Sequence, residues 1–376
     1  MSFLVTKGKE NMLIEFLQSV YNPKASLPSE SKVYEQVIKD IEYFSISPQV
    51  YFKLKEQGRL ELTPLFFQNR LKNTFIKVLL RNTFLKKQTE TILNTFDKLS
   101  IPAIPLKGVL FAEKYFGHLA ARSTSDIDLL IKPEDLDKVI KTLKEIGYTI
   151  EEKNAPDHFH CSLSKEVSNS PIPLTVEIHW NILKENTSNF KIEGFWEQAI
   201  PLENFKHIKE LSAYHTFYMI CIHAWRHNLD SMKHFLDITE IIYFLGEEID
   251  YDSLFIDAAK HKMVKRMKRT LSIVYRAFPQ LNTIQKLPFN NQVGPWWQYE
   301  AIRNSNLRNV KVYLDYFDYL IFSFDTANHR LIAFKEWIHP SKYDLAQELE
   351  TNEKISYANL YKKRFFGLFK SLLFLK

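Results

Sequence analysis

The chain is predicted to be α+β, with a small sheet between two helical regions. Three observations carry this expectation. Glycine is scarce, 9 of 376 residues, whereas phenylalanine (29) and tyrosine (18) are plentiful, which suits helices with bulky packing. Apolar residues recur near the 3.6-residue period through the first hundred positions. One stretch, Ile101–Ile131, departs from that period and parses as strand, turn, helix, loop, strand. The expected units are a helical region over 1–95, a core over 96–205 and a second helical region over 206–376.

In the first region, NMLIEFLQSV, VYEQVIKDIEYF and FIKVLLRNTFLKKQTETILNTFDKL have helical periodicity, and Pro23, Pro28, Pro48 and Pro64 separate the segments. No site chemistry is visible there, so these helices are expected to cap the sheet. Next come a strand (Ile101 to Leu106), a Lys107-Gly108 turn and a helix from about Val109 to Phe116. The turn leaves backbone N–H groups and a positive dipole end free for an anion. Gly108 permits close approach of a ligand, and Lys107 adds a point charge. Arg122, Ser123 and Thr124 then supply a guanidinium and two hydroxyls, groups suited to phosphate oxygens.

In the following strand Asp126 and Asp128 share one face, while Ile127, Leu129 and Ile131 line the other. Their Cβ atoms stand roughly 7 Å apart, close enough for the carboxylates to converge on one or two divalent cations. Pro133 opens the next helix, whose apolar face is Val139, Ile140, Leu143 and Ile146, with Gly147 at its C-cap. A strand is expected near Tyr148–Glu152. In DHFHCSLS, His158 and His160 share a face, but no further ligand is spaced to complete a metal site with them. In LTVEIHWN, Thr175, Glu177, His179 and Asn181 form one face.

The run LKG, a helix, R-S-T-S-D-I-D-L-L, the helix PEDLDKVIKTLKEIGY and the later strand V-E-I-H-W together resemble uncharacterised nucleotidyltransferases of the DNA polymerase β superfold. The likeness is to a bacterial group with L-K-G where the superfold usually has Gly-Ser. It implies a polymerase β-like core, a small mixed sheet with helices, flanked by the helical regions. It also implies a nucleoside triphosphate donor and Mg2+ or Mn2+ as cofactor. By the same resemblance Glu177 is the third acidic residue, beside Asp126 and Asp128, and the three serve as catalytic and metal-holding groups. Lys107, Gly108, Arg122, Ser123 and Thr124 would contact the triphosphate. Attack of an acceptor oxygen on the α-phosphate would transfer a nucleoside monophosphate, with cations easing both the approach of negative charge and its departure. The helix HAWRHN followed by Leu236-Asp237-Ile238 recurs in such proteins, so His179, His223, Arg226 and Asp237 are candidates for the acceptor side. His223 and His227 share a helix face, but the glutamate of a zinc-protease helix is missing between them.

The acceptor is not identified by these residues. A small molecule or sugar-pathway intermediate is favoured over RNA, because the net charge of +6 is spread along the chain and no basic tract interleaves with aromatics. The alternatives are a toxin-like transferase acting on RNA or protein, and a non-catalytic nucleotide-binding protein. KHKMVKRMKR (260–269) reads as a solvated basic helix face. The tail YKKRFFGLFKSLLFLK reads as a helix docked on its own protein, with peripheral membrane contact as the alternative. Two cysteines without redox or metal spacing, no secretory leader and no apolar run of about 20 residues point to a cytoplasmic protein.

Overall fold

The computed structural model describes residues 12–151, 159–168, 173–184, 186–289, 296–304, 307, 309–342, 345, 349 and 356–373. Helices α1 (Met12–Tyr21), α2 (Ser31–Tyr43) and α3 (Ser47–Glu56) lead into α4 (Leu65–Lys98). At 34 residues α4 spans about 51 Å. Its first turns put Phe67 and Leu71 into one apolar core, and its last turns put Leu85, Ile92, Leu93 and Phe96 into another, beneath the sheet.

Helices α1–α3 were expected to cap the sheet, and the structure corrects this. They join the core of the C-terminal helices, tied by Tyr21 Oη donating to Glu240 (2.7 Å), Gln18 to the Ala277 carbonyl (2.6 Å) and Tyr299 to Asp40 (2.7 Å). The reason is α1 itself. Leu13, Ile14, Phe16, Leu17, Val20 and Tyr21 are all buried, an apolar surface too wide for one sheet face to cover.

The sheet contains β1 (Ala103–Pro105), β2 (Asp126–Ile131), β3 (Thr149–Ile150), β4 (His160–Lys165) and β5 (Leu174–His179), in the spatial order β1-β2-β5-β4-β3. Only β2–β5 is parallel among these pairs. A parallel pair needs a long crossover, here provided through α6 (Leu136–Glu145), which ends at Gly147 with φ +93°. Ile127, Leu129, Ile131, Leu163, Val176 and Ile178 pack on α4 and α6. On the other face Ile104 and Leu130 join the helical core with α5 (Val109–Phe116), the short α7 (Glu193–Glu197), α8 (Ala213–Arg226), α9 (Met232–Leu245), α10 (Tyr251–Lys260) and α11 (Val264–Ala277). The polar residues of β2 and β5 therefore lie at the seam between two cores.

The basic stretch of α11 is not uniformly solvated, contrary to expectation. Arg266 is buried between the rings of Trp225 (4.3 Å) and Phe324 (4.4 Å) and donates to the Thr187 carbonyl. Arg269 is buried against Asp315 at 2.7 Å. In the helix Tyr357–Leu373, Leu360 is buried beside Leu345 and Arg364 donates to the Trp337 carbonyl, while Phe365 and Phe366 are 62% and 70% exposed. No helix among the described residues is long and apolar enough to cross a membrane.

Candidate active site

The turn after β1 is shaped by Gly108, whose φ of +85° and ψ of −141° few side chains tolerate. A Cβ there would stand 3.6 Å from both the Asp126 carbonyl oxygen and Thr124 Cγ2, so α5 begins hard against β2. The Leu106 amide donates to the Asp128 carbonyl at 3.1 Å, which extends the β1–β2 pairing and fixes Lys107 above β2. Its Nζ lies 3.0 Å from Asp128 Oδ2 and 4.0 Å from Asp126 Oδ2.

The parallel register places Asp128 opposite Glu177 and Leu130 opposite His179. Carboxylates some fifty positions apart in sequence thus become neighbours. His179 Nε2 completes the cluster, 3.2 Å from Asp128 Oδ1 and 3.3 Å from Glu177 Oε2. The next strand extends both rows, with Ser162 opposite Glu177 and the His160 ring stacked on His179 at 5.2 Å.

The Asp128 side chain is fully shielded from solvent, and among the described residues its Oδ2 accepts no hydrogen bond of good geometry. Burial alone would raise this carboxyl, but the Lys107 ammonium and the hydrogen bond with His179 outweigh burial and hold it well below the usual carboxylate range. The same balance runs in reverse for its partners. Burial would lower Lys107 and His179, but Asp128, Asp126 and Glu177 raise Lys107, and Asp128 and Glu177 raise His179. Ligand atoms of Asp128, Glu177 and His179 lie within 4.8 Å of one another. An oxygen-rich set with a buried, underused carboxylate oxygen fits a hard divalent cation such as Mg2+.

The other expected residues divide. Thr124 is buried close behind Gly108, and among the described residues its Oγ1 has no hydrogen-bond partner. Ser123 instead donates to the Ser45 carbonyl at 2.9 Å. Arg122 and Asp237 were assigned to the phosphates and the acceptor side, yet they close on each other through two hydrogen bonds of 2.7 and 2.8 Å, with the guanidinium over the Phe111 ring. Bidentate geometry explains this preference, since it satisfies both groups out of water. Arg226 lies over the Phe159 ring at 5.0 Å. His223 is half-buried in electropositive surroundings. Burial, then the charges of Lys107 and Arg226, push it well below its ordinary value. His158 falls outside the described residues.

Sequence reasoning missed Lys233. This lysine, in the first turn of α9, is half-buried, and among the described residues its Nζ has no hydrogen-bond partner. Burial and then Arg122 lower it to about 7, against the opposing pull of Asp237. A cation at a helix N-terminus opposes the helix dipole, and that misplacement was the available signal. It also missed Asp230 and His234, which approach His223 and His227 only because α9 folds back on α8.

A family profile described as an uncharacterised nucleotidyltransferase matches residues 34–279. No curated protein and no solved structure matches the chain. The match runs from α2 through the sheet to the end of α11, taking in Lys107, both aspartates, Glu177 and the helical wall above them, and on that extent the chain belongs to this nucleotidyltransferase family.

Proposed function

We propose that the protein transfers a nucleoside monophosphate from a nucleoside triphosphate to a hydroxyl or phosphate acceptor, with Asp126, Asp128 and Glu177 holding Mg2+ or Mn2+. The observation that carries this reading is the Asp128–Glu177 register pair, in which the buried Asp128 Oδ2 meets only the Lys107 ammonium at 3.0 Å and has no well-aligned hydrogen bond among the described residues. A buried carboxylate oxygen that lacks a well-aligned hydrogen bond keeps capacity for a further ligand, because each unmade buried hydrogen bond costs about 1–3 kcal/mol. A divalent cation bound there neutralises phosphate charge and eases deprotonation of the acceptor.

The chain's own groups have separate tasks. Lys107, the amides of the Gly108 turn, Thr124 Oγ1 and Lys233 face the phosphates as donors. His179 fixes the orientation of Asp128 and Glu177 through Nε2. Arg122 and Asp237 brace the loop before β2 against α9, and act as positioning residues. His223 and Arg226 form the wall on the acceptor side. A small-molecule acceptor is favoured because burial of Arg266 and Arg269 removes two cations from the basic stretch that a nucleic-acid partner would use.

The test is label transfer from an α-phosphate-labelled nucleoside triphosphate into small-molecule and RNA fractions of a cell extract, with Mg2+ and with EDTA. The expected result is a labelled low-mass product that requires the cation and is not formed by Asp128→Asn. A protein that binds nucleotide and cation normally but labels no fraction would overturn the catalytic reading.

A further inference from the structure

Three imidazoles gather beside the sheet without belonging to the carboxylate cluster. His223 and His227 project from the end of α8 and the residue that follows it, and His234 comes from the first turn of α9. Two consecutive left-handed residues, Asn228 (φ +49°) and Leu229 (φ +52°), reverse the chain between them. Such backbone is costly in a leucine and persists where the surrounding structure enforces it. Here Leu229 is buried, and its amide donates to the Ala224 carbonyl at 2.9 Å.

The resulting triangle has a characteristic size. Ring centroids are 4.7 Å apart for His223–His227, 5.4 Å for His223–His234 and 5.1 Å for His227–His234. An imidazole nitrogen about 2.0–2.1 Å from a zinc ion puts the ring centroid roughly 3.2 Å from it, so tetrahedrally arranged rings stand about 5.2 Å apart. The three observed separations straddle that value. Asp230, whose side chain is 61% exposed, has Oδ1 3.1 Å from His234 Nε2. Ligand atoms of His227, Asp230 and His234 all lie within 4.8 Å of one another.

We propose that His227, His234 and Asp230, whose ligand atoms already converge, form with the neighbouring His223 ring a binding site for a divalent transition-metal cation of the zinc class. Imidazole-rich ligation selects zinc, cobalt or nickel over magnesium, which sets this site apart from the cluster of Asp128, Glu177 and His179, where carboxylates predominate. The rings of His227 and His234 lie 17° from parallel, so one must turn about its Cβ–Cγ bond as the cation enters. The exposed Asp230 is the exchangeable ligand, able to give way to water or to an oxygen of a bound molecule. The site does not depend on the nucleotide-transfer reading.

The experiment uses full-length protein stripped with a chelator, in wild-type form and as Asp128→Asn/Glu177→Gln, which disables the other cluster. Zn2+ is titrated against a chromophoric chelator, and the Co2+ form is examined by visible absorption. Asp128→Asn/Glu177→Gln should take up one equivalent of Zn2+ and wild type at least one, and both should give the intense visible bands of tetrahedral Co2+. His234→Gln should lose at least about 100-fold in affinity and Asp230→Asn about 10-fold. Loss of the equivalent in Asp128→Asn/Glu177→Gln, or unchanged affinity in folded His234→Gln, would overturn the site. Should the histidine variants fail to fold, the titration and Co2+ spectrum of Asp128→Asn/Glu177→Gln, where all three histidines remain, decide the matter alone.

Discussion

Arg122–Asp237 and Lys107–Asp128 are ion pairs at the same seam, each on a buried carboxylate, yet they are built in opposite ways. The first is bidentate, with both carboxylate oxygens engaged by one guanidinium. The second is a single 3.0 Å approach that leaves Asp128 Oδ2 without a well-aligned hydrogen bond, in a carboxylate that also meets His179. A closed pair of this kind holds elements together, whereas an open one keeps capacity for a ligand. The difference gives each pair its own expected response to substitution.

The largest effect is expected at the open pair. Asp128→Asn should lower nucleotide transfer by about 10³-fold or more, on the order of 4 kcal/mol in the transition state, while circular dichroism and melting show a folded protein. Normal turnover would remove Asp128 from the chemistry. At the closed pair the loss moves to stability. Asp237→Asn strands a buried guanidinium and should lower the urea-unfolding free energy by about 3 kcal/mol, with Arg122→Leu/Asp237→Leu recovering much of it. If Asp237→Asn is as stable as wild type, the pair is no brace.

Acid should separate the pairs further. Because the folded carboxyl of Asp128 is depressed, it stabilises the native state above the unfolded carboxyl range, and that stability is lost as pH falls through the folded value. Stability curves of wild type and Asp128→Asn should therefore converge in strong acid; parallel curves would contradict the depression. The smallest effect is expected at Lys233. Its folded value of about 7 lies below that of a free lysine, so wild type gains stability from this group as pH rises above 7, and the charged form costs most below that. Lys233→Met should stabilise the apo protein by about 1–2 kcal/mol at pH 6, a discounted value because the side chain keeps some solvent. The same variant should bind triphosphate about 10-fold more weakly at pH 6, and the deficit should shrink by pH 8.5. Calorimetric titration at the two pH values checks it, and equal affinities for wild type and variant would detach Lys233 from the phosphates.

Much of the sheet was legible because its signals are local. The alternation in DIDLLI and LTVEIH, the Lys107-Gly108 turn and the helix to Phe116 each follow from a few adjacent residues. The partners of those residues were not legible. Nothing near Arg122 in sequence indicates that Asp237, 115 positions away, will close on it. The buried arginines of α11 read as surface for the same reason, since their aromatic and carboxylate partners lie on other helices. His234 joins His223 and His227 only through the left-handed reversal at Asn228 and Leu229, a conformation whose residues carry no glycine to announce it.

One helix determines how the molecule should come apart. Because α4 contributes side chains to both apolar cores, neither can lose its order without stripping apolar surface from the same rod, and fraying that starts at one end exposes the other. Heat should therefore melt the sheet and helical bundle in a single calorimetric endotherm, its van't Hoff and calorimetric enthalpies equal, although the sequence divides naturally into three units. A proline introduced midway along α4 would uncouple the halves and split that endotherm in two, and with it any transmission of ligand-induced stiffening from the carboxylates to the far helices.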